Sequence, residues 1–198
     1  MGCMMPGTRY IVAMLASKPT YFVDYAQRNF AGKEANYILG EHAKPHVTLV
    51  QFYGDHNDAS AVKDFIELLS DNPQPRYTGI QFGIDVNDSA ALWANMGVAR
   101  DPALLELHLK MVDFLKSRNL HALNDSGDLY YPHVTFARVK IDGIGCEKPN
   151  IPDVVFNLAL GVADEFGQFV KVLWVAESRI ATEYRTLGLR FSKPQSKM

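Results

Sequence analysis

Two short stretches of this 198-residue chain repeat one pattern, His-Val-Thr followed by an apolar residue. They are His46-Val47-Thr48-Leu49 and His133-Val134-Thr135-Phe136, and a proline, Pro45 or Pro132, precedes each histidine. Histidine titrates near pH 6.5, so one ring can be neutral while its partner is protonated at neutral pH. In-line displacement at a phosphodiester needs a base at the attacking oxygen and an acid at the leaving oxygen, on opposite sides of phosphorus. Two histidines facing one another supply both. A threonine hydroxyl two residues on can donate to a non-bridging phosphate oxygen. His46 and His133 are therefore the candidate acid–base pair, and Thr48 and Thr135 the candidate phosphate donors. Which histidine is base and which is acid stays open at this stage. The chemistry requires no metal, thiol or nucleophilic serine.

Such residues must be held by rigid elements, and the surrounding sequence provides them. His46–Tyr53 is rich in β-branched and aromatic residues and reads as a strand, as does His133–Lys140. Side chains alternate along a strand, so each histidine shares a face with its threonine while the valine and the fourth residue face the core. The prolines fix how the chain approaches each strand. A single His-x-Thr is a weak signal; two copies in matched surroundings are a strong one. Arg9–Ser17 reads as a buried strand, and Thr20–Ala31 as a helix capped by Thr20 and ended by Gly32. Asp58–Ser70 is amphipathic with Asp58 as cap, and Arg76–Val86 and Leu92–Ala99 are strand candidates. Asp101-Pro102 starts a helix running to about Asn119, and Val154–Val162 and Phe169–Ala176 are two further strands.

The order contains an approximate repeat: strand, Pro19, helix, loop, Pro45, motif, and then strand, Pro102, helix, loop, Pro132, motif. It predicts an α+β fold, a bilobal pseudo-twofold duplication of strand–helix–strand units with antiparallel sheets. One two-lobed domain is expected over 1–198, with 1–8 and 191–198 as flexible termini.

Other polar residues read less sharply. Tyr131, two residues before His133, is a candidate for stacking on a base, and Tyr53 a weaker one. Arg138 and Lys140 have the parity of Val134 rather than His133, so without a bulge they are solvated strand ends. His42 and His46 have a metal-ligand spacing only on a helix, which Pro45 opposes. His56 and His121 lie in polar turns and His108 on a helix stripe, where hydrogen-bonded structural roles are expected. Arg179, Arg185 and Arg190 read as a solvated basic segment.

Composition bounds the partner. The chain is 47% apolar and 21% charged, which suits a globular protein and not a disordered one. Its formal charge is −2, and proteins that grip long nucleic acid by the backbone carry a basic excess. A small nucleotide or an RNA end is the expected partner, with no obligate protein partner and no cofactor. Cys3 and Cys146 do not suggest a disulfide framework. No apolar run is long enough to span a membrane, and Pro6 departs from the myristoylation pattern. A cytoplasmic protein is expected.

The two tetrapeptides resemble those of the two-histidine (2H) phosphoesterase superfamily, which includes 2′-5′ RNA ligase-like proteins and plant cyclic phosphodiesterases. The resemblance covers about Arg9 to Ala176 in motif placement and element order. It implies a central groove holding both motifs, with His46 and His133 catalytic and Thr48 and Thr135 holding phosphate. It also implies metal-independent hydrolysis of 2′,3′-cyclic or 2′,5′-linked phosphodiesters. Two other functions compete: a non-catalytic nucleotide-binding module in the same groove, and an RNA end-processing or ligase-like enzyme. A Gly-rich phosphate loop and an adenylation lysine motif are both missing, which argues against an ATP-dependent form of the latter.

Overall fold

A computed structural model describes residues 7–33, 37–40, 43–69, 72–140 and 146–176. His42, whose spacing from His46 was not expected to hold a metal, and the basic segment from 177 onward lie outside them, as do Cys3 and most of the expected flexible termini. The elements are β1 (Thr8–Ala16), α1 (Thr20–Phe30), β2 (Tyr37–Ile38), β3 (His46–Gly54), α2 (His56–Leu68), β4 (Tyr77–Asp85), β5 (Asp88–Val98), α3 (Pro102–Ser117), a 3₁₀ turn (Gly127–Leu129), β6 (His133–Lys140), β7 (Phe156–Ala163) and β8 (Phe169–Val175). Two four-stranded antiparallel sheets result, ordered β3-β1-β7-β8 and β2-β6-β5-β4. This is the expected α+β duplication. In each sheet the strand that opens a repeat unit, β1 or β5, lies beside the motif strand of that unit, β3 or β6.

Two helix starts differ from the sequence reading, and a third stands where it was read but without a side-chain cap. Thr20 lies inside the first turn of α1; Pro19 occupies the cap position, and its carbonyl accepts the Phe22 and Val23 N–H groups. Asp55, not Asp58, caps α2. The two carboxylates form a capping box, Asp55 accepting from the Asp58 N–H and Asp58 from the Asp55 N–H. Asp101 does precede α3 with Pro102 at its first position, but its carboxylate pairs with Arg76 at 2.7 Å instead of capping. β5, read in the sequence as Leu92–Ala99, runs over Asp88–Val98, is the longest strand in its sheet and is paired on both sides.

The units interlock. α1, from the first, packs on β6 of the second, where Phe22, Tyr25 and Phe30 surround Phe136; the Tyr25 and Phe136 rings are 4.8 Å apart. α3, from the second, packs on β3 of the first. β2 likewise crosses to pair with β6. One apolar core therefore runs through both halves, from Val12, Val47 and Val50 to Val134, Phe136 and Val139. Among the described residues no helix is long and apolar enough to cross a membrane.

Candidate active site

Both motif strands carry a β-bulge at the same place. Val12 pairs with Val50 and Ala13 with Thr48, so Leu49 is the extra residue in β3. Ala94 pairs with Ala137 and Asn95 with Thr135, so Phe136 is the extra residue in β6. A bulge resets the alternation of side chains beyond it. His46, Thr48 and Gln51 consequently share one face of the first sheet, and His133, Thr135 and Arg138 share one face of the second. Leu49 and Phe136 are fully buried on the opposite faces.

A bulged residue loses its ladder partners, and its backbone groups need others. The Phe136 carbonyl accepts from the Leu39 N–H beside β2, at 2.8 Å. On β3 side chains do this work. The Leu49 carbonyl accepts from His108 Nδ1 at 2.8 Å and Asn124 Nδ2 at 3.2 Å, while Asn124 Oδ1 accepts the Gln51 N–H at 2.8 Å. His108 is fully buried and stacks on Tyr130, with ring centroids 3.8 Å apart; the Tyr130 hydroxyl donates to the Thr48 carbonyl. The structural role expected of His108 is thus the support of β3 from below.

The two histidines are anchored alike. His46 Nδ1 donates to the Lys44 carbonyl at 2.6 Å, and His133 Nδ1 to the Tyr131 carbonyl at 2.8 Å. Each ring folds back over the proline onto the carbonyl two residues earlier. Because a carbonyl only accepts, Nδ1 carries the hydrogen and Nε2 is left as the basic nitrogen. Both rings line one groove of about 270 Å³ together with Thr48, Thr135, Gln51, Asn124, Tyr131 and Gln168. His46 is buried and His133 half-buried. Burial pushes the His46 pKa down to about 4 against the Lys44 hydrogen bond, and charge on His133 lowers it further. Burial also lowers the His133 pKa, against its bond to the Tyr131 carbonyl.

Of the residues singled out in the sequence, the structure brings His46, Thr48, His133, Thr135 and Tyr131 to this groove. Tyr131 is half-exposed, and its ring centroid lies 5.5 Å from that of His133. Tyr53 is exposed near the end of β3 and is not among the groove residues. Arg138 is not a solvated end: the bulge turns it inward, where it is 8% exposed and pairs with Asp85 at 2.7 Å and Asp88 at 3.0 Å. Gln51, Asn124, Phe166 and Gln168 also line the groove, and no sequence motif marks them. Gln51 was legible only through the bulge, whereas Phe166 and Gln168 come from the β7–β8 hairpin, which carries no motif.

Gln51 is held firmly. Its Oε1 accepts from Arg9 Nε at 2.9 Å and from the same guanidinium's Nη2, and its Nε2 donates to the Gly167 carbonyl at 2.8 Å. One Nε2 hydrogen remains for a ligand. Gly167 has φ +77°, and a Cβ there would stand 2.8 Å from the Gln51 amide, so glycine is required twice over. Gln168 is buried, and its Oε1 has no hydrogen-bond partner among the described residues.

A solved structure described as a phosphoesterase aligns with 88% of this chain and 100% of its own, at TM-score 0.59 and 13% identity. E. coli LigT solved with NADP+ aligns over the same shares at TM-score 0.57 and 13% identity, as does LigT solved with 3′-AMP. The chain has the two-histidine phosphoesterase fold. At this identity the likeness is one of architecture. No family model matches the sequence, and no curated protein matches it. The fold is that of the 2H phosphoesterases in its two antiparallel sheets as well as its helices. Among the described residues there is no group of three or more His, Cys, Asp or Glu side chains able to hold a metal ion.

Proposed function

We propose that this chain is a metal-independent phosphodiesterase of the two-histidine type. Its substrates are nucleotide diesters: 2′,3′-cyclic phosphates of nucleosides or RNA ends, or 2′,5′-linked bonds. The observation that carries this reading is the pair of imidazoles, each fixed through Nδ1 to a carbonyl, that line one groove beside two threonine hydroxyls. LigT, with the same fold, has been solved with 3′-AMP and with phosphate. A groove of this shape suits a nucleotide phosphate.

His46 is the better base, because its deeper burial keeps it neutral at physiological pH. Its Nε2 takes the proton of the attacking water as oxygen bonds to phosphorus. His133, nearer to solvent, gives the Nε2 proton of its imidazolium to the leaving ribose oxygen as the P–O bond breaks. The phosphate's negative charge favours that imidazolium. Thr48, Thr135 and the free Gln51 hydrogen donate to non-bridging oxygens, where charge builds in the transition state. Positioned acid–base groups contribute about 100- to 10,000-fold each.

The test is hydrolysis of a panel of 2′,3′-cyclic nucleotides, a cyclic-phosphate RNA end and 2′,5′-linked oligonucleotides by the intact chain and its histidine variants. Turnover that both His46→Ala and His133→Ala abolish supports the reading. Nucleotide affinity without turnover would make the chain a binding module instead.

A further inference from the structure

The groove does not end at Phe166. The same ring walls a second chamber of about 640 Å³, bounded by Arg9, Trp93, Arg138 and the hairpin tips at 85–87 and 165–166. Strand parity puts Trp93 on the same face of β5 as Asn95 and Gly97, the neighbours of Thr135 and His133. Its indole therefore belongs to the groove side of the sheet and not to the helix-covered core. The Trp93 and Phe166 rings meet edge to face, with centroids 6.3 Å apart and planes 65° apart. Phe166 is 41% exposed, an open aromatic surface where the two cavities meet.

The two arginines of the chamber differ in charge balance. Arg138 is neutralised by Asp85 and Asp88. Arg9 donates only to the Gln51 amide and to the Asp164 and Glu165 carbonyls, all uncharged, and forms no ion pair among the described residues. A guanidinium held in place by neutral acceptors keeps its positive charge for an incoming anion. Arg9 stands where that charge reaches both cavities, since it braces Gln51 in one and lines the other.

We infer that the second chamber binds the second nucleoside of a diester joining two nucleotides. Its base stacks on Trp93 or Phe166, and Arg9 faces the phosphate charge. This inference rests on the phosphodiesterase reading above and narrows it. A cyclic mononucleotide occupies only the first groove, whereas a dinucleotide fills both.

The experiment compares kcat/KM for a 2′,5′-linked dinucleoside monophosphate and a nucleoside 2′,3′-cyclic phosphate, in the intact chain, Trp93→Ala and Val86→Trp. Val86 is 96% exposed at a hairpin tip, so a larger side chain there fills the chamber without entering the core. It carries the test if Trp93→Ala fails to fold. One stacked base contributes roughly tenfold, so each variant is expected to lower the dinucleotide value about tenfold more than the cyclic one. Equal losses on both substrates, or no loss on either, overturn the second subsite while hydrolysis stands. Turnover of neither substrate by the intact chain overturns the subsite and the phosphodiesterase reading together.

Discussion

His46 and His133 owe their tautomers to the backbone, through bonds from Nδ1 to the Lys44 and Tyr131 carbonyls. Both pKa values lie below the ordinary 6.5. Between 6.5 and about 4 the unfolded chain binds more protons than the folded one, so stability falls as pH drops through that window. The His46 share of this loss is about 3 kcal/mol. Urea unfolding of the intact chain and of His46→Gln, at neutral pH and near pH 4, checks it: the variant should lose less. Activity follows the same groups. The kcat/KM profile should be bell-shaped with its maximum on the acid side of neutrality, and the kcat profile should lie higher because bound phosphate raises both pKa values. At Gly167 the expected effect is geometric. Gly167→Ala should push the Gln51 amide aside and lower kcat/KM by about tenfold, the worth of one hydrogen bond to a charged group.

The bulges at Leu49 and Phe136 show how elements make the site. They turn Gln51 and Arg138 to the groove side of their sheets, and their freed carbonyls are taken up by His108, Asn124 and Leu39. His108→Leu leaves the Leu49 carbonyl with the longer Asn124 bond and removes the stack on Tyr130. A loss of about 1–3 kcal/mol in urea unfolding is expected, with reduced turnover as β3 loosens. Asp55→Ala offers a contrast, since it removes the α2 cap far from the groove. It should cost about 1 kcal/mol and leave kcat/KM unchanged. Much at this scale was legible in the sequence, because paired prolines, β-branched runs and the duplicated motif are local signals. The bulges were not. An extra strand residue is defined by the register of its partner, which no local pattern records, and so the alternation that made Arg138 look solvated continued past Phe136. The two-residue β2 exists only because β6 is there to pair with it.

The whole molecule is a pair of half-sites locked together by exchange. Each unit lends its helix to the other's motif strand, so neither histidine is held by its own unit alone. That arrangement accounts for a core continuous across both halves and fixes the span between the two imidazoles. The exchange was hidden in the sequence, where both units read alike and nothing states which strand a helix covers. The proposed chemistry uses only side chains of this chain, so EDTA should leave kcat/KM unchanged; loss of activity that added divalent metal restores would contradict it. The most direct test of the account is hydrolysis of the diester panel by the intact chain, His46→Ala and His133→Ala. Each variant is predicted to lose at least about 100-fold in kcat while still binding nucleotide in the groove. Turnover that survives in both variants would contradict the account.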